Sequence, residues 1–400
     1  MILIDEYDCQ MTANINNETL YKQFQEKIKS FYDTIKNKWP IKFLGITGVT
    51  RLKDVSIFSI GSDIRDITNA SAYSQMIGFT RDEIKKYYID YLKLASSYEN
   101  NCSVNDVTDA QIESMLDRLA KNYDGYCFDE DYEKKVFSTW SVNKFFQTMV
   151  GKKKVQFGEY WYDNGGLPSI LVNYLKTHEL NIFEYLDKDK FLKVSSDDFK
   201  NPTALTTINQ NVLMCQTGYL TLRSDLNKTS TVALGIPNGE IYKALNRLLA
   251  NNIFKGNTDI TDDYGRSLLE VGTVDDIINL FNSALNSVSY DNYPIVSESS
   301  VQNMLKLYLL GAHQEVLSEV HEAKGRADLI VNTDNRRIVF EFKYAKNETE
   351  TKAKLSEAVE QIKTRDYGNI LPKKNELIRI AAVFNADPKV RAFTENQIVP

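Results

Sequence analysis

The order of apolar and helical segments in residues 297–384 constrains the fold of this chain most narrowly. Three apolar segments rich in β-branched and aromatic residues are separated by short turns at Lys324-Gly325 and Asp334-Asn335, which is typical of strands joined by tight turns. The predicted elements are a helix at 297–310, strands at 316–322, 326–332 and 337–344, a helix at 348–367 and a strand at 376–384. This α-β-β-β-α-β order over about 100 residues predicts a compact C-terminal α/β domain.

Charged residues meet at one end of the predicted hairpin. Glu341 and Lys343 lie two residues apart on one strand, so both side chains point to one face while Phe342 points into the core. Asp328 begins the preceding strand and can reach that face. Converging carboxylates suit Mg²⁺ or Mn²⁺, and a lysine can hold the scissile phosphate or the attacking water. The pattern therefore predicts hydrolysis of a phosphodiester, with Asp328 and Glu341 as metal ligands.

Two further acids are candidates for the same site. Glu319 lies on the strand before Asp328, and Glu298 lies on the opening helix. His321 shares strand parity with Glu319, although a lone histidine is more often structural than catalytic. For an isolated Glu-x-Lys pair, a solvated strand edge is the alternative interpretation.

Composition argues against several classes of protein. The net charge of −6 argues against a protein that coats nucleic acid by bulk charge, although residues 295–400 carry 16 Lys and Arg against 15 Asp and Glu. Three histidines argue against a His-based zinc site, and the four cysteines form no close pair, which favours a reducing compartment. The sequence has no apolar run of 18 residues and no signal peptide, so we expect a cytoplasmic protein without a membrane partner.

Three motifs of the C-terminal segment resemble those of the PD-(D/E)xK nuclease superfamily. They are Gly325-Arg-Ala-Asp328, Glu341-Phe-Lys343 and Gln361-Ile-Lys-Thr-Arg-Asp-Tyr367, in the order found in the branch that is fused to an AAA-ATPase-like domain. The resemblance implies a restriction-endonuclease-like domain that acts on nucleic acid. It also implies that Gln361 and Tyr367 lie over the site and that Lys363 or Arg365 touches the nucleic-acid backbone. One departure is that alanine precedes Asp328, where the superfamily often has proline.

The N-terminal residues follow a strand–helix–strand rhythm that is typical of a doubly wound α/β sheet. Strands are predicted at 1–4, 41–47 and 55–60, with a helix at 20–38. Asp5 and Glu6 follow the first strand and resemble the end of a Walker B strand, where the Asp holds Mg²⁺ through water and the Glu polarises the attacking water. Thr47, in Ile46-Thr47-Gly48-Val49, stands where the next strand of an AAA-type ATPase carries its sensor residue.

The phosphate loop of such ATPases, GxxxxGK[ST], does not occur in the sequence. Without its backbone N–H groups and its lysine, the β- and γ-phosphates have no cradle. We therefore expect that the chain starts inside a truncated P-loop-type α/β segment, that Asp5 and Glu6 are vestigial, and that ATP is neither bound nor hydrolysed. We also expect the missing central strand to leave a sheet edge that must be covered or will promote self-association.

Between the two ends the pattern is mostly helical. Thr80-Arg-Asp-Glu83 is a capping box that opens a helix running through Tyr88 and Tyr91. The stretches that match the same AAA-ATPase-like family are Gly78-Phe-Thr80, Tyr123-Asp-Gly-Tyr126, Tyr160-Trp161, Gly165-Gly-Leu-Pro168 and Gln216-Thr-Gly-Tyr-Leu-Thr221. With a turn-rich linker at 287–294, the sequence predicts an ATPase-like segment at 1–70, a helical region at 71–290 and a nuclease-like domain at 291–400.

Two functions of different classes are consistent with these patterns. The first is a metal-dependent nuclease in which Asp328, Glu341 and Lys343 act with the assistance of Glu319 and Gln361. The second is a catalytically inactive remnant of a larger ATPase–nuclease that binds nucleic acid or a protein. A nucleotide switch ranks last, because it requires a phosphate loop supplied from elsewhere.

Overall fold

A computed structural model of the chain describes residues 1–38, 41–51, 64–163, 169–175, 178, 181–202, 207–254, 265–312, 314–322 and 325–400. These residues form two compact units, Met1–Ala244 and Leu245–Pro400. The third predicted strand at 55–60, the family stretch at 165–168 and the turn residue Lys324 lie outside the described residues.

Helices and strands are numbered here in chain order. The first unit contains β1 (Ile2–Ile4), α1 (Cys9–Ala13), α2 (Glu18–Lys38), β2 (Leu44–Ile46), α3 (Arg81–Tyr87), α4 (Ile89–Asn100), α5 (Asp109–Tyr123), α6 (Thr139–Lys152), α7 (Tyr160–Asp163), α8 (Ser169–Leu175), β3 (Leu192–Ser195), α9 (Ser196–Lys200), α10 (Gln210–Gln216), β4 (Thr221–Leu222), β5 (Thr231–Gly235) and the start of α11 (Gly239–Ile253). The second unit continues with α12 (Arg266–Val271), α13 (Val274–Asn286), α14 (Glu298–Gly311), β6 (Glu315–Glu322), β7 (Gly325–Asn332), β8 (Arg336–Ala345), α15 (Glu348–Arg365), β9 (Glu376–Asn385) and β10 (Ala392–Ile398).

The second unit is built on a five-stranded mixed sheet with the order β10-β9-β8-β7-β6. β6, β7 and β8 are successive antiparallel strands, whereas β8 and β9 are parallel. Parallel neighbours need a crossover connection, and α15 supplies it. The α-β-β-β-α-β order predicted from the sequence is confirmed, and each predicted end lies within about two residues of the observed one, the usual uncertainty of helix ends.

The sequence does not predict one strand of this sheet. β10 pairs antiparallel with β9 at the edge, and its register shifts between Phe393 and Glu395. Its residues are mostly polar, which an edge strand tolerates because one side of its backbone has no neighbouring strand. The segment therefore lacks the apolar pattern that marks the interior strands.

Apolar side chains cover both faces of the sheet. On one face, the buried residues of α15 pack against Val339 of β8. On the other face, Phe281 of α13 contacts Phe340 of β8, with ring centroids 5.3 Å apart. Because Glu341 and Lys343 have the strand parity of Val339, both charged residues point to the α15 face.

The first unit begins with a two-stranded parallel sheet of β1 and β2, in which Ile4 pairs with Ile46. α2 lies between the two strands in sequence, so the predicted strand–helix–strand order is present. The strands have three residues each, which is shorter than the predicted segment at 41–47.

The predicted capping box opens α3. The side-chain oxygen of Thr80 accepts from the backbone N–H of Glu83, and the Glu83 carboxylate accepts from the backbone N–H of Thr80 at 2.8 Å. The expectation of one helix through Tyr88 and Tyr91 is wrong, because α3 ends at Tyr87 and α4 begins at Ile89. The Tyr88 ring stacks on Phe146 of α6 at 5.1 Å. The backbone N–H of Tyr88 still donates to the carbonyl oxygen of Ile84, so the two helices meet directly at this residue.

The mostly helical region also contains a small antiparallel sheet with the order β3-β5-β4. Alternate residues of β3, Leu192 and Val194, are buried. Its strands have two to five residues, too few for an alternating pattern to stand out in the sequence.

Glu240, at the start of α11, is a buried carboxylate on which distant segments of the first unit meet. Its Oε2 accepts a hydrogen bond from Ser141 Oγ of α6 at 2.6 Å, and its Oε1 accepts from the backbone N of Trp161 at 2.8 Å. The Trp161 ring lies edge-on to Tyr219, with centroids 5.0 Å apart. Stretches that resemble the AAA-ATPase-like family in the sequence, 160–161 and 216–221, therefore share one buried centre.

We expect Glu240→Gln to flatten the pH dependence of the stability of the first unit. Burial raises the pKa of Glu240 to about 7, while the hydrogen bonds from Ser141 and Trp161 lower it. A carboxyl group with a raised pKa stabilises the fold below its unfolded pKa of about 4.3, and this contribution is lost as the pH rises through 7. The loss is at most about 4 kcal/mol, because the two pKa values differ by about 2.7 units at about 1.4 kcal/mol per unit.

The measurement is the free energy of unfolding in urea at several pH values between about 4 and 8. The exposed Glu26 of α2 provides the control variant, Glu26→Gln. Parallel curves for the wild type and Glu240→Gln would contradict the prediction.

Candidate active site

Asp328 lies in the middle of β7, at the point where the pairing of β7 with β8 ends. Leu329 and Phe340 are the last paired residues at this end, and Asp328 Oδ2 accepts a hydrogen bond from the backbone N of Phe342 at 2.9 Å. The carbonyl oxygen of Asp328 accepts from Gln302 Nε2 of α14 at 2.6 Å. These contacts fix the carboxylate beside the residues that flank Phe342, which are Glu341 and Lys343.

Glu341 and Lys343 form a buried ion pair on β8. Glu341 is 0% exposed and Lys343 is 5% exposed. Lys343 Nζ donates to Glu341 Oε1 at 2.8 Å and to the carbonyl oxygen of Phe342 at 3.2 Å. Glu298, the first residue of α14, is the third partner, with its Oε1 at 3.4 Å from Lys343 Nζ. The structure thus brings together Asp328, Glu341, Lys343 and Glu298.

Acidic groups outnumber the lysine in this cluster. Burial and the nearby charge of Asp328 raise the pKa of Glu341 to about 7, although the hydrogen bond and charge of Lys343 lower it. Burial lowers the pKa of Lys343, but Glu341 and the other acids raise it by more, so the ammonium stays charged. The three acids outnumber the buried Lys343, and Arg365 at the end of α15 is a second cation that interacts with Glu341 and Asp328. The cluster therefore carries a small excess of negative charge, which favours a further cation.

Whether the residues of the cluster fit a metal can be judged from the second carboxylate oxygen of Glu341. Glu341 Oε2 is buried, and no group among the described residues donates a hydrogen bond to it. Such an atom is costly to bury, and a divalent cation shared with Asp328 would satisfy it. The described side chains contain no group of three or more His, Cys, Asp and Glu that would hold a metal alone. Two carboxylates nevertheless fit Mg²⁺, which keeps several waters when bound.

Glu319 lies on β6 next to Asp328. The β6–β7 register pairs Ser318 with Leu329 and Val320 with Ala327, which places the backbone of Glu319 opposite Asp328. The side chain of Glu319 lies outside the described residues. Its assisting role therefore stays a prediction.

Gln361 directs its side chain to Tyr367. Gln361 Nε2 donates to the Tyr367 hydroxyl at 3.3 Å, and Arg365 Nη1 donates to the same oxygen at 2.8 Å. The Tyr367 ring is fully buried in the α15 layer. Hence Tyr367 contributes to the core and orients two polar side chains, and an assisting role for Gln361 stays a prediction.

Two arginines that the sequence analysis did not single out hold the segment after α15. The buried Arg337 of β8 donates to the carbonyl oxygens of Gly368, Ile370 and Pro372. Arg379 of β9 donates to the carbonyl oxygen of Tyr367 at 2.7 Å. An arginine inside an apolar strand, as in Arg337-Ile-Val-Phe340, is the signal that points to such a role, because a buried guanidinium needs several acceptors.

Asp5 and Glu6, the expected vestigial Walker B pair, follow β1. The Thr47 hydroxyl donates a hydrogen bond to the Asp5 carboxylate, so the two positions singled out in the sequence are adjacent. Glu6 is exposed and has a φ of 51°. The role of this pair stays a prediction.

Two family models of known proteins match this chain, one at each end. Residues 296–394 match the family model of the PD-(D/E)XK nuclease superfamily, and residues 1–58 match the family described as Predicted AAA-ATPase. These matches confirm the fusion indicated by the sequence motifs. PD-(D/E)XK nucleases generally use divalent metals.

A relative covers nearly the whole chain. The chain is similar to an uncharacterized protein in the vnfD 5′ region of Azotobacter chroococcum mcd 1, with 22% identity over 399 residues. The match covers 97% of this chain and 70% of the relative. Separately, no helix in the described ranges has both the length and the apolar character needed to cross a bilayer.

We expect Gly368→Ala to destabilise the second unit by roughly 2 kcal/mol or more. Gly368 has a φ of +84°, and an added Cβ would lie 2.5 Å from Val339 Cγ2 and 2.8 Å from Leu377 Cδ1. The control is Gly151→Ala in α6, where nothing lies within 4 Å of the added Cβ, so stability should be unchanged or slightly increased. Urea unfolding measures both variants, and equal effects would show that the segment after α15 is not held as described.

Proposed function

We propose that residues 291–400 form a metal-dependent nuclease domain that hydrolyses phosphodiester bonds of nucleic acid. Asp328 and Glu341 hold Mg²⁺ or Mn²⁺, and Lys343 holds the scissile phosphate. The observation that carries the proposal is the buried Glu341 Oε2, which no described group satisfies and which lies in a cluster with excess negative charge. The match of residues 296–394 to the PD-(D/E)XK nuclease superfamily supports it.

The residues of the cluster have distinct tasks in this proposal. A bound divalent metal lowers the pKa of its water and offsets charge on the phosphate. Phe342 N–H keeps the Asp328 carboxylate oriented toward the site. The ammonium of Lys343 offsets the negative charge that develops on the phosphate. Glu298 contacts Lys343 from the partly exposed side of the cluster, and Glu319 assists from β6.

The rest of the chain is an ATPase-like segment at 1–70 and a helical region at 71–290. ATP hydrolysis is not part of the proposal, because the sequence has no GxxxxGK[ST] segment to hold the phosphates. Asp5 and Glu6 are then a vestigial Walker B pair. Further parts of the proposal are nucleic acid as the partner, a cytoplasmic location and self-association through the edge of the β1–β2 sheet.

One observation favours a second candidate, an inactive module that binds nucleic acid or a protein. Lys343 is already bonded to Glu341, Glu298 and the carbonyl of Phe342. A buried ion pair of this kind also occurs in purely structural settings. The two candidates differ in whether cleavage depends on the cluster.

We expect the purified chain to cleave DNA or RNA when Mg²⁺ or Mn²⁺ is present. Glu341→Gln and Lys343→Met should each lower the cleavage rate by roughly 100-fold or more, because each removes a charge that acts on the transition state. The controls are Glu395→Gln in β10 and Lys389→Met at an exposed position, which should cleave at the wild-type rate. Gel assays with linear and circular substrates measure the rates, and cleavage that survives in both site variants would refute the nuclease.

We expect divalent metal to stabilise the wild type against heat even without nucleic acid. At a metal concentration about 100 times the Kd, the gain is about 2.7 kcal/mol. Glu341→Gln and Asp328→Asn should lose most of it, whereas Glu395→Gln should keep it. Calorimetry with and without Mn²⁺ measures the shift, and an equal shift in all four proteins would place the metal elsewhere.

A further inference from the structure

The second unit contains a cavity on the face of its sheet that packs against α13. The cavity has a volume of about 150 Å³ and lies between the end of α13, the segment that follows α13 and the end of β9. Its apolar walls are formed by Leu285, Val288, Ile295 and Phe384. Apolar cavities of about this size bind benzene, so there is room for one aromatic ring.

The cavity is separate from the carboxylate cluster. Phe384 pairs with Tyr344 across β8 and β9, whereas Lys343 pairs with Val383. Successive side chains of a strand point to opposite faces, so Phe384 lies on the α13 face and Lys343 lies on the α15 face. The sheet itself stands between the cavity and the cluster, so a ligand of the cavity is not the phosphodiester of the proposed nuclease.

Arg391 is a cation that lines the cavity. Its guanidinium carbon lies 3.4 Å from the centroid of the Tyr290 ring, which also lines the cavity. Within the ranges that the structure describes, no oxygen accepts a hydrogen bond from this guanidinium and no acid pairs with it. Stacking on a ring occupies the flat face of a guanidinium and leaves the N–H groups at its edge for a ligand.

The turn before β10 holds Arg391 in a left-handed backbone conformation. Its φ is 43°, a value that residues other than glycine seldom adopt. The carbonyl oxygen of Asp387 accepts from the backbone N–H groups of Val390 and Arg391 at 2.8 and 3.0 Å. Such conformations are costly and cluster at ligand sites, where the surrounding structure keeps them in place. The turn thus fixes the Arg391 side chain against Tyr290, at the edge of the cavity.

We propose that this cavity binds a small aromatic carboxylate. The ring lies between the apolar walls, and the carboxylate accepts from the N–H groups of Arg391, which match its two oxygens in geometry and charge. An apolar pocket with a few placed polar groups is the common form of a small-molecule site. Tyr290 is 40% exposed, so the charged end of the ligand stays close to solvent. The inference goes beyond the proposed nuclease and requires neither metal nor nucleic acid.

Binding of benzoate to the full chain tests the inference. Ligand-observed NMR, at an ionic strength held constant with sodium chloride, gives the Kd of benzoate and of two related compounds. Benzamide has the ring without the charge, and acetate has the charge without the ring. We expect benzoate to bind with a Kd of about 1 mM or below, and the other two to bind at least about tenfold more weakly.

Two variants assign the binding to this cavity. Arg391→Gln should weaken benzoate about tenfold, to the level of benzamide, because it removes a charge-assisted pair. Val288→Phe fills the cavity and should also weaken benzoate about tenfold or more. The control Lys389→Gln removes an exposed cation from the same turn and should leave the Kd within about twofold. Thermal midpoints without ligand show that each variant is folded.

Each outcome decides the inference. It fails if benzoate does not bind at about 10 mM, if benzamide or acetate binds as tightly as benzoate, or if either site variant binds benzoate like the wild type. An equal loss in Lys389→Gln would show that general positive charge attracts the anion, and would also reject the inference. Cleavage of nucleic acid is assayed without benzoate, so neither result bears on the proposed nuclease.

Discussion

The burial of the Glu341 carboxylate is the constraint on which the C-terminal unit depends. A carboxylate in the middle of an apolar sheet is costly, and only one of its oxygens has a hydrogen-bond partner among the described residues. The neighbours compensate in part. Lys343 neutralises one oxygen, whereas the charge of Asp328, which Phe342 N–H holds nearby, raises the pKa of Glu341 and adds to the cost. A sheet selected for stability alone would place an apolar residue here. The buried charge at this point, with one oxygen that no described group satisfies, is the physical basis of the proposed metal site.

Most helices and strands of this unit can be predicted from the sequence, because its strands are long and apolar and its turns are short. Side-chain parity alone places Glu341 and Lys343 on one face, and a tight hairpin brings Asp328 beside them. The hydrogen bond from the Phe342 amide to Asp328 cannot be predicted from the sequence, because it depends on where the pairing of β7 with β8 ends. Arg337 is visible as a charge in an apolar strand, but the carbonyls that receive its hydrogen bonds lie 31 to 35 residues away in sequence. The polar edge strand β10 carries no apolar pattern to predict it.

The first unit shows the limits of local patterns more clearly. The capping box at Thr80 is a local signal and is present in the structure. The junction of α3 and α4 at Tyr88, whose ring stacks on Phe146 of α6, has no local signal in the sequence. Glu240 looks like an ordinary acid in the first turn of a helix, yet its carboxylate joins segments about 80 to 100 residues apart in sequence. The stretches around Trp161 and Tyr219, singled out in the sequence, thus share one structural centre beside Glu240.

The parallel pairing of β8 with β9 has a consequence for how the chain acquires its site. The β7–β8 hairpin is local and can form within microseconds, with Asp328, Glu341 and Lys343 already side by side. β9 can pair with β8 only after about 30 intervening residues have formed the crossover helix, and such long-range contacts are slow. During that interval the charged cluster is hydrated and its acids ionise freely. Desolvation of the Glu341 carboxylate therefore depends on the long-range pairing of β9 with β8, which places Glu341 opposite Ala381 inside the sheet.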